Sequence, residues 1–219
     1  GVDSVIGTAY TGAMNVKVTD AGLIATDTIT GGTGTGDKVT ITASGNALTS
    51  SELAAVTKVE TFVVANDVAQ SITLNNNNIA SGKALLIDGS AMSTTVLTVV
   101  GTAETNGSLT VKGGGGNDLL TATASSSGDT LIGGGGGDTF SFIAANLTAL
   151  DTITGGSGAD NLLLLATNPG TVTDANLTNM TSVETLNSHN GALTLTLGAE
   201  ASQAGIKTVN LVTGGNINS

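Results

Sequence analysis

Cysteine, tryptophan and arginine are absent from this chain, and proline and histidine each occur once. Without cysteine no disulfide can form, so the fold is held by other means. Six lysines stand against 17 acidic residues, for a net charge of −11. That balance excludes nucleic acid as a partner, because phosphate binding needs clustered basic side chains. Aromatic residues make up 2% of the sequence. A core without large rings has to be built from Val, Ile, Leu, Ala and Thr, and small β-branched residues of this kind suit narrow stacked coils. No run is long and apolar enough to span a bilayer, which argues against direct membrane insertion. No N-terminal export signal is visible, and the start at Gly1 reads as that of a fragment or a processed chain.

The same scarcity argues against an enzyme. The one histidine, His189, falls in a polar segment, Ser188-His189-Asn190-Gly191, that reads as an exposed turn. No Ser/His/Asp arrangement or zinc spacing accompanies it. Glycine-rich phrases are present, but they lack the Gly-Lys-Ser/Thr ending of a phosphate-binding loop. Paired carboxylates can hydrolyse glycosides; here they lie in glycine turns, where metal ligation explains them better.

What the chain has in quantity is glycine, at 32 residues, together with 39% apolar residues and a mean hydropathy of +0.28. Such apolar content argues for a folded chain over a glycine-rich linker. Between 113 and 163 one phrase occurs three times: Gly113-Gly114-Gly115-Gly116-Asn117-Asp118-Leu119-Leu120, Gly133-Gly134-Gly135-Gly136-Gly137-Asp138-Thr139-Phe140 and Gly155-Gly156-Ser157-Gly158-Ala159-Asp160-Asn161-Leu162. Each fits the nonapeptide G-G-x-G-x-D-x-U-x of a calcium-binding parallel β-roll, with U a large apolar residue. Glycines permit a tight turn that aims carbonyl oxygens inward, and the aspartate adds a carboxylate. Calcium wants about 6–8 oxygens, more than one turn supplies, so the ion is expected between successive turns.

Spacing supports stacking. Asp118, Asp138 and Asp160 recur at nearly equal steps, each about one coil of two nonapeptides. Asp129 and Asp151 are separated by the same step as Asp138 and Asp160, and each stands one nonapeptide before the next turn aspartate. The five aspartates are expected in two columns. The expected ligands are Gly114, Gly116 and Asp118; Gly134, Gly136 and Asp138; Gly156, Gly158 and Asp160; and Asp129 and Asp151. Asp27 and Asp37 extend the set, although the turn at Gly31–Asp37 is one residue longer than the others. Several calcium ions are expected.

These phrases resemble RTX proteins, calcium-binding bacterial proteins exported by type I secretion, over 113–163. More loosely, the remaining Thr/Asn/Val-rich coils look like the calcium-dependent S-layer proteins of some Gram-negative bacteria. The resemblance implies a secreted, cell-surface location and a structural role with self-association into a lattice, fibre or array. Other parts of the parent protein would contact cell-surface polysaccharide. Since RTX repeats also occur as tails of adhesins, proteases and lipases, a module of that kind is the alternative. An RTX secretion signal lies at the extreme C-terminus, whereas Gly214-Gly215-Asn216-Ile217 reads as the start of another turn.

The expected fold is all-β: one continuous right-handed parallel β-solenoid over 1–219 with one or two short helical turns. An internal repeat supports it. Residues 23–90 match 147–214 at an offset of 124, as in Asp27-Thr28-Ile29-Thr30 with Asp151-Thr152-Ile153-Thr154 and Val59-Glu60-Thr61 with Val183-Glu184-Thr185. A sustained offset means duplication of a multi-coil unit. Helical turns are expected at 48–56, where Thr49 and Glu52 form a capping-box pattern, and at 174–180. Glu60 and Glu184 read as outward strand residues or ligands, with a solvated strand face the preferred reading. Asp67 and Asp88, a coil's length apart, are expected to form a further, weaker cation column, and Asn75–Asn78 reads as a turn or an amide ladder. Four Thr-x-Thr pairs do not recur once per coil, which argues against a regular ice- or glycan-binding array. At roughly two nonapeptides per coil the chain gives about ten coils, a rod about 50 Å long.

Overall fold

The computed structural model describes residues 1–165, 170–189, 193–211 and 216–218. Gly214, Gly215, Asn190 and Gly191, which entered the readings of the C-terminal end and of the histidine segment, lie outside them. Every paired strand is parallel. Two sheets of eight strands run the length of the solenoid, one strand of each per coil. The first contains Lys38–Thr42, Ser108–Lys112, Thr130–Gly135 and Thr152–Ser157; the second contains Leu97–Val100, Leu119–Thr121, Thr139–Ile143 and Asn161–Leu165. Two further three-stranded sheets are Ser4–Ile6 with Thr28–Thr30 and Val56–Thr57, and Gly170–Val172 with Leu193–Thr196 and Asn216–Asn218; in each, one strand (Val56–Thr57, Gly170–Val172) comes in chain order after a strand of the second sheet and before one of the first.

The solenoid has about nine turns, not ten, because coils outside 113–163 are longer. Thr110 is in register with Thr130, whereas Ile153 is in register with Met180, a longer step along the chain. Some of the longer coils carry a strand or helical turn on the third side, while residues 74–83 fill it with turns and bends.

Alternation with period two dictates the interior. In the first sheet Val39, Phe62, Ile87, Val111, Leu131 and Ile153 stack in one buried row. In the second, Leu48, Ile72, Val99, Leu120, Phe140, Leu162 and Leu186 do the same. Each such side chain contributes about 1.5–3 kcal/mol by leaving water. Few rings are needed because each inward position has only its neighbours above and below and the facing row to fill.

The duplication has a geometric twist. Lys38–Thr42 lies in the first long sheet, but its counterpart Asn161–Leu165 lies in the second; Thr28–Thr30 lies in a small sheet, but its counterpart Thr152–Ser157 lies in the first long sheet. The repeat therefore advances five coils and one side, so equivalent residues face different directions.

At the first of the two expected places residues 50–55 form hydrogen-bonded turns: the Leu53 N–H reaches the Thr49 carbonyl at 3.1 Å, a single helical turn, and Glu52 accepts the Thr49 N–H at 2.7 Å. At the second place Asp174–Leu177 is a 3-10 helix whose capping box pairs Thr173 with Asn176. A helix at Ala199–Ala204 and a 3-10 turn at Ala144–Asn146 were unexpected. The asparagine run is a turn: Asn78 is buried and donates to the Leu53 and Val56 carbonyls of the preceding coil at 2.8 and 2.9 Å. An amide ladder does exist, on the outer face of the second sheet, where Asn210 donates to Asn187 and Asn187 to Asn161.

Candidate metal centre

Each strand of a long sheet is entered through a corner, and the aspartates stand at these corners. Asp118, Asp138 and Asp160 precede Leu119, Thr139 and Asn161, which are in register in the second sheet. Asp129 and Asp151 precede Thr130 and Thr152, in register in the first. The two expected columns are present as geometry.

Within a column each carboxylate reaches back one coil and accepts a backbone N–H. Asp118 Oδ1 accepts from Leu97 at 2.7 Å, Asp138 Oδ1 from Asp118 at 2.8 Å, Asp160 Oδ1 from Asp138 at 2.7 Å, and Glu184 Oε2 from Asp160 at 2.9 Å. In the other column Asp129 accepts from Leu109 at 2.8 Å and Asp151 from Asp129 at 2.6 Å. The first repeat copy follows the same rule: Asp27 accepts from Asp3, Asp37 from Met14, and Glu60 from Asp37. Glu104 accepts from Ile79. These are ten of the 17 acids, and all ten rungs point the same way.

Sequence reasoning missed Glu60 and Glu184, which are rungs and not solvated strand positions. Lys58 and Ser182, each with φ +55°, close a short turn just before them, and the longer glutamate makes up the reach. Their match at offset 124 was the available signal. Glu104 gave none. Asp67 and Asp88 do not stack: Asp88 is in register with Val63 and Lys112, while Asp67 accepts from Ser93, Thr94 and Thr95 of the following coil. His189 ends a strand, Thr185–His189, and is exposed.

The acids are mostly interior. Asp20, Asp27, Asp37, Glu104, Asp118, Asp129, Asp138, Asp151 and Asp160 are buried; the other eight acids, the rungs Glu60 and Glu184 among them, are half-buried or exposed, as are the six lysines. The net charge of −11 therefore resides largely in the corners, and the outer surface is close to neutral.

The second oxygen distinguishes the sites. Asp118 Oδ2 accepts from Gly114 at 2.8 Å, Asp37 Oδ2 from Gly32 at 2.6 Å, Asp27 Oδ2 from Ile24 at 3.0 Å, Asp151 Oδ2 from Thr148 at 2.7 Å and Asp129 Oδ2 from Thr123 at 2.7 Å. Asp138 Oδ2 and Asp160 Oδ2 are buried with no hydrogen-bond partner. A methyl group placed on Gly133 would strike both Asp138 Oδ2 and the Gly155 carbonyl; one placed on Gly155 would strike Asp160 Oδ2 and the Ser182 carbonyl. Carboxylate and carbonyl oxygens thus converge here, as they do at Gly113 with Asp118 and at Gly31 with Asp37, but only at Asp138 and Asp160 does the Oδ2 lack a donor. Burial, with the neighbouring Asp118 and Asp160 carboxylates, pushes Asp138 up to about 7 against the opposing hydrogen bond from the Asp118 N–H. Burial likewise raises Asp118, Asp129 and Asp160.

An unpaired buried carboxylate oxygen facing carbonyl oxygens is costly unless a cation or a proton joins it. The donor set fits a hard cation, which accepts carboxylates, carbonyls and water together. It does not suit a soft metal, because neither thiolate nor imidazole is among these atoms; among the described residues no three His, Cys, Asp or Glu side chains gather as a metal site. Gly134, Gly136, Gly156 and Gly158 have φ of +109°, +98°, +110° and +138°, and a methyl group on any of them would collide with the carbonyl of Gly114, Gly116, Gly134 or Gly136 below. Only glycine permits this approach. Gly114 and Gly116 pack as closely, on the Met92 and Thr95 carbonyls.

Comparison of the chain with protein-family models, with curated proteins and with solved structures gives no match.

Proposed function

We propose that this chain is a calcium-stabilised structural solenoid of a secreted bacterial cell-surface protein, of the self-assembling S-layer type. The observation that carries the reading is the pair of buried, unpartnered Oδ2 atoms on Asp138 and Asp160, inside turns that match a calcium-binding nonapeptide. When bound, calcium would supply positive charge between stacked coils and so offset the interior carboxylate repulsion. The chain's own residues supply the rest: glycine turns bring carbonyls close, and the carboxylate rungs fix coil against coil. Outside a cell, where calcium is abundant, binding energy of this kind acts as folding energy.

A role in assembly is supported by shape and charge. Two long parallel sheets run along the solenoid, and a nearly neutral surface lets copies approach without the repulsion that an external charge of −11 would impose. The test is a calcium titration followed by circular dichroism and light scattering. Calcium is expected to raise the melting temperature and promote association. A melting temperature and a mass indifferent to calcium and to chelator would overturn the reading.

A further inference from the structure

Turns built on one glycine-aspartate phrase adopt two states. In the turn Gly113–Asp118 the second glycine, Gly114, gives its N–H to Asp118 Oδ2, and in Gly31–Asp37 Gly32 gives its N–H to Asp37 Oδ2. Neither glycine has positive φ. In the two following turns the second glycine is flipped, with φ +109° at Gly134 and +110° at Gly156. The flip draws both into the ends of strands Thr130–Gly135 and Thr152–Ser157, where they are in register with each other. Their N–H groups no longer serve the aspartate, and Asp138 Oδ2 and Asp160 Oδ2 have no donor. The other buried corner aspartates are supplied with a donor: Ile24 closes Asp27, Thr148 closes Asp151, and the Thr123 N–H and hydroxyl close Asp129.

We infer that cation binding is confined to the two flipped turns, at Asp138 with the Gly155 carbonyl and at Asp160 with the Ser182 carbonyl, and that the other motif aspartates are metal-free rungs. The inference rests on the calcium reading above and narrows it. Its physical basis is competition for one oxygen. An N–H already on Oδ2 turns a partial positive charge toward the place a cation would take, and removing it leaves a buried donor unpaired. A carboxylate oxygen with no donor has nothing to lose. The motif is then necessary but not sufficient, and the sign of φ at its second glycine selects which copies bind.

Calorimetric titration of the chain with calcium is expected to give two ions. Asp138→Asn and Asp160→Asn are each expected to remove one, since asparagine keeps an Oδ1 to accept the rung N–H but replaces the ligating oxygen by an NH2. Asp118→Asn and Asp129→Asn are expected to leave two. Three or more ions, or a reduced number in Asp118→Asn or Asp129→Asn, would overturn the inference while leaving the calcium reading intact. No binding at all would sink both. Circular dichroism checks each variant's fold. Should Asp138→Asn or Asp160→Asn fail to fold, crystals of the unaltered chain grown with calcium decide the matter, with anomalous peaks expected at these two turns and peaks at Asp118, Asp129 or Asp37 refuting it.

Discussion

The Asp138 N–H donates to Asp160 Oδ1 at 2.7 Å, while Asp138 Oδ1 accepts the Asp118 N–H at 2.8 Å. One residue thus acts as donor to the coil after it and acceptor from the coil before it. The relation repeats down the column and gives the solenoid a polarity that the parallel sheets alone do not need. It also explains how a chain with net charge −11 keeps so many acids inside: each buried carboxylate has at least one backbone donor.

The pH dependence of the metal-free protein follows from this burial. An acid whose folded pKa is raised holds its proton more tightly in the folded state, so it stabilises at low pH and loses that effect as pH rises through the folded value. Asp138 is pushed up to about 7, and Asp118, Asp129 and Asp160 are raised. In chelator the melting temperature is expected to rise as pH falls from 8 toward about 5. Asp27, Asp67 and Asp174 are lowered by backbone and hydroxyl donors, so their contribution is lost below the ordinary carboxylate range and stability falls again. A melting curve flat in pH between 5 and 8 would contradict the raised group.

Glycine substitutions separate backbone strain from collision. Gly134→Ala and Gly156→Ala combine positive φ with a methyl group driven into the Gly114 or Gly134 carbonyl. Gly45→Ala and Gly82→Ala impose positive φ with nothing within 4 Å. Urea denaturation is expected to show about 1 kcal/mol lost for the second pair and clearly more for the first. Equal losses would mean that the close approach of coils contributes nothing.

Glu184 is expected to act as a hydrogen-bond acceptor, not as a charge. Glu184→Gln keeps an oxygen for the Asp160 N–H and should stay within about 0.5 kcal/mol of the parent, whereas Glu184→Ala leaves that donor unpaired and should lose about 1–3 kcal/mol. Chemical denaturation in chelator measures both. A solvated strand position would tolerate either change.

Phe140 is the large member of a buried row between Leu120 and Leu162. Phe140→Ala should cost about 3–5 kcal/mol and lower the urea midpoint, with calcium restoring part of the loss by mass action.

Much of the architecture was legible in the sequence because the governing periods are short. Two-residue alternation, visible in Leu97-Thr98-Val99-Val100 and Leu109-Thr110-Val111-Lys112, names the inward row, and the nearly equal steps from Asp118 to Asp138 to Asp160 place these aspartates in one column. The helix at Ala199–Ala204 was not legible, because so short a stretch in a third-side segment carries too little periodicity to be told from a turn.

By itself the sequence determined that coils would stack in parallel, where the corners lie and which side chains point inward. These follow from local repetition, which every coil states anew. Only the tertiary structure decided that Glu60, Glu184 and Glu104 are rungs, that the repeat copies face different sides, and that, among the described residues, Asp138 and Asp160 alone of the buried corner aspartates keep an oxygen without a donor. Those outcomes depend on which N–H of a neighbouring coil falls within reach, a distance set by stacking and by the sign of φ at Gly134 and Gly156, neither of which is written in the identity of the residues.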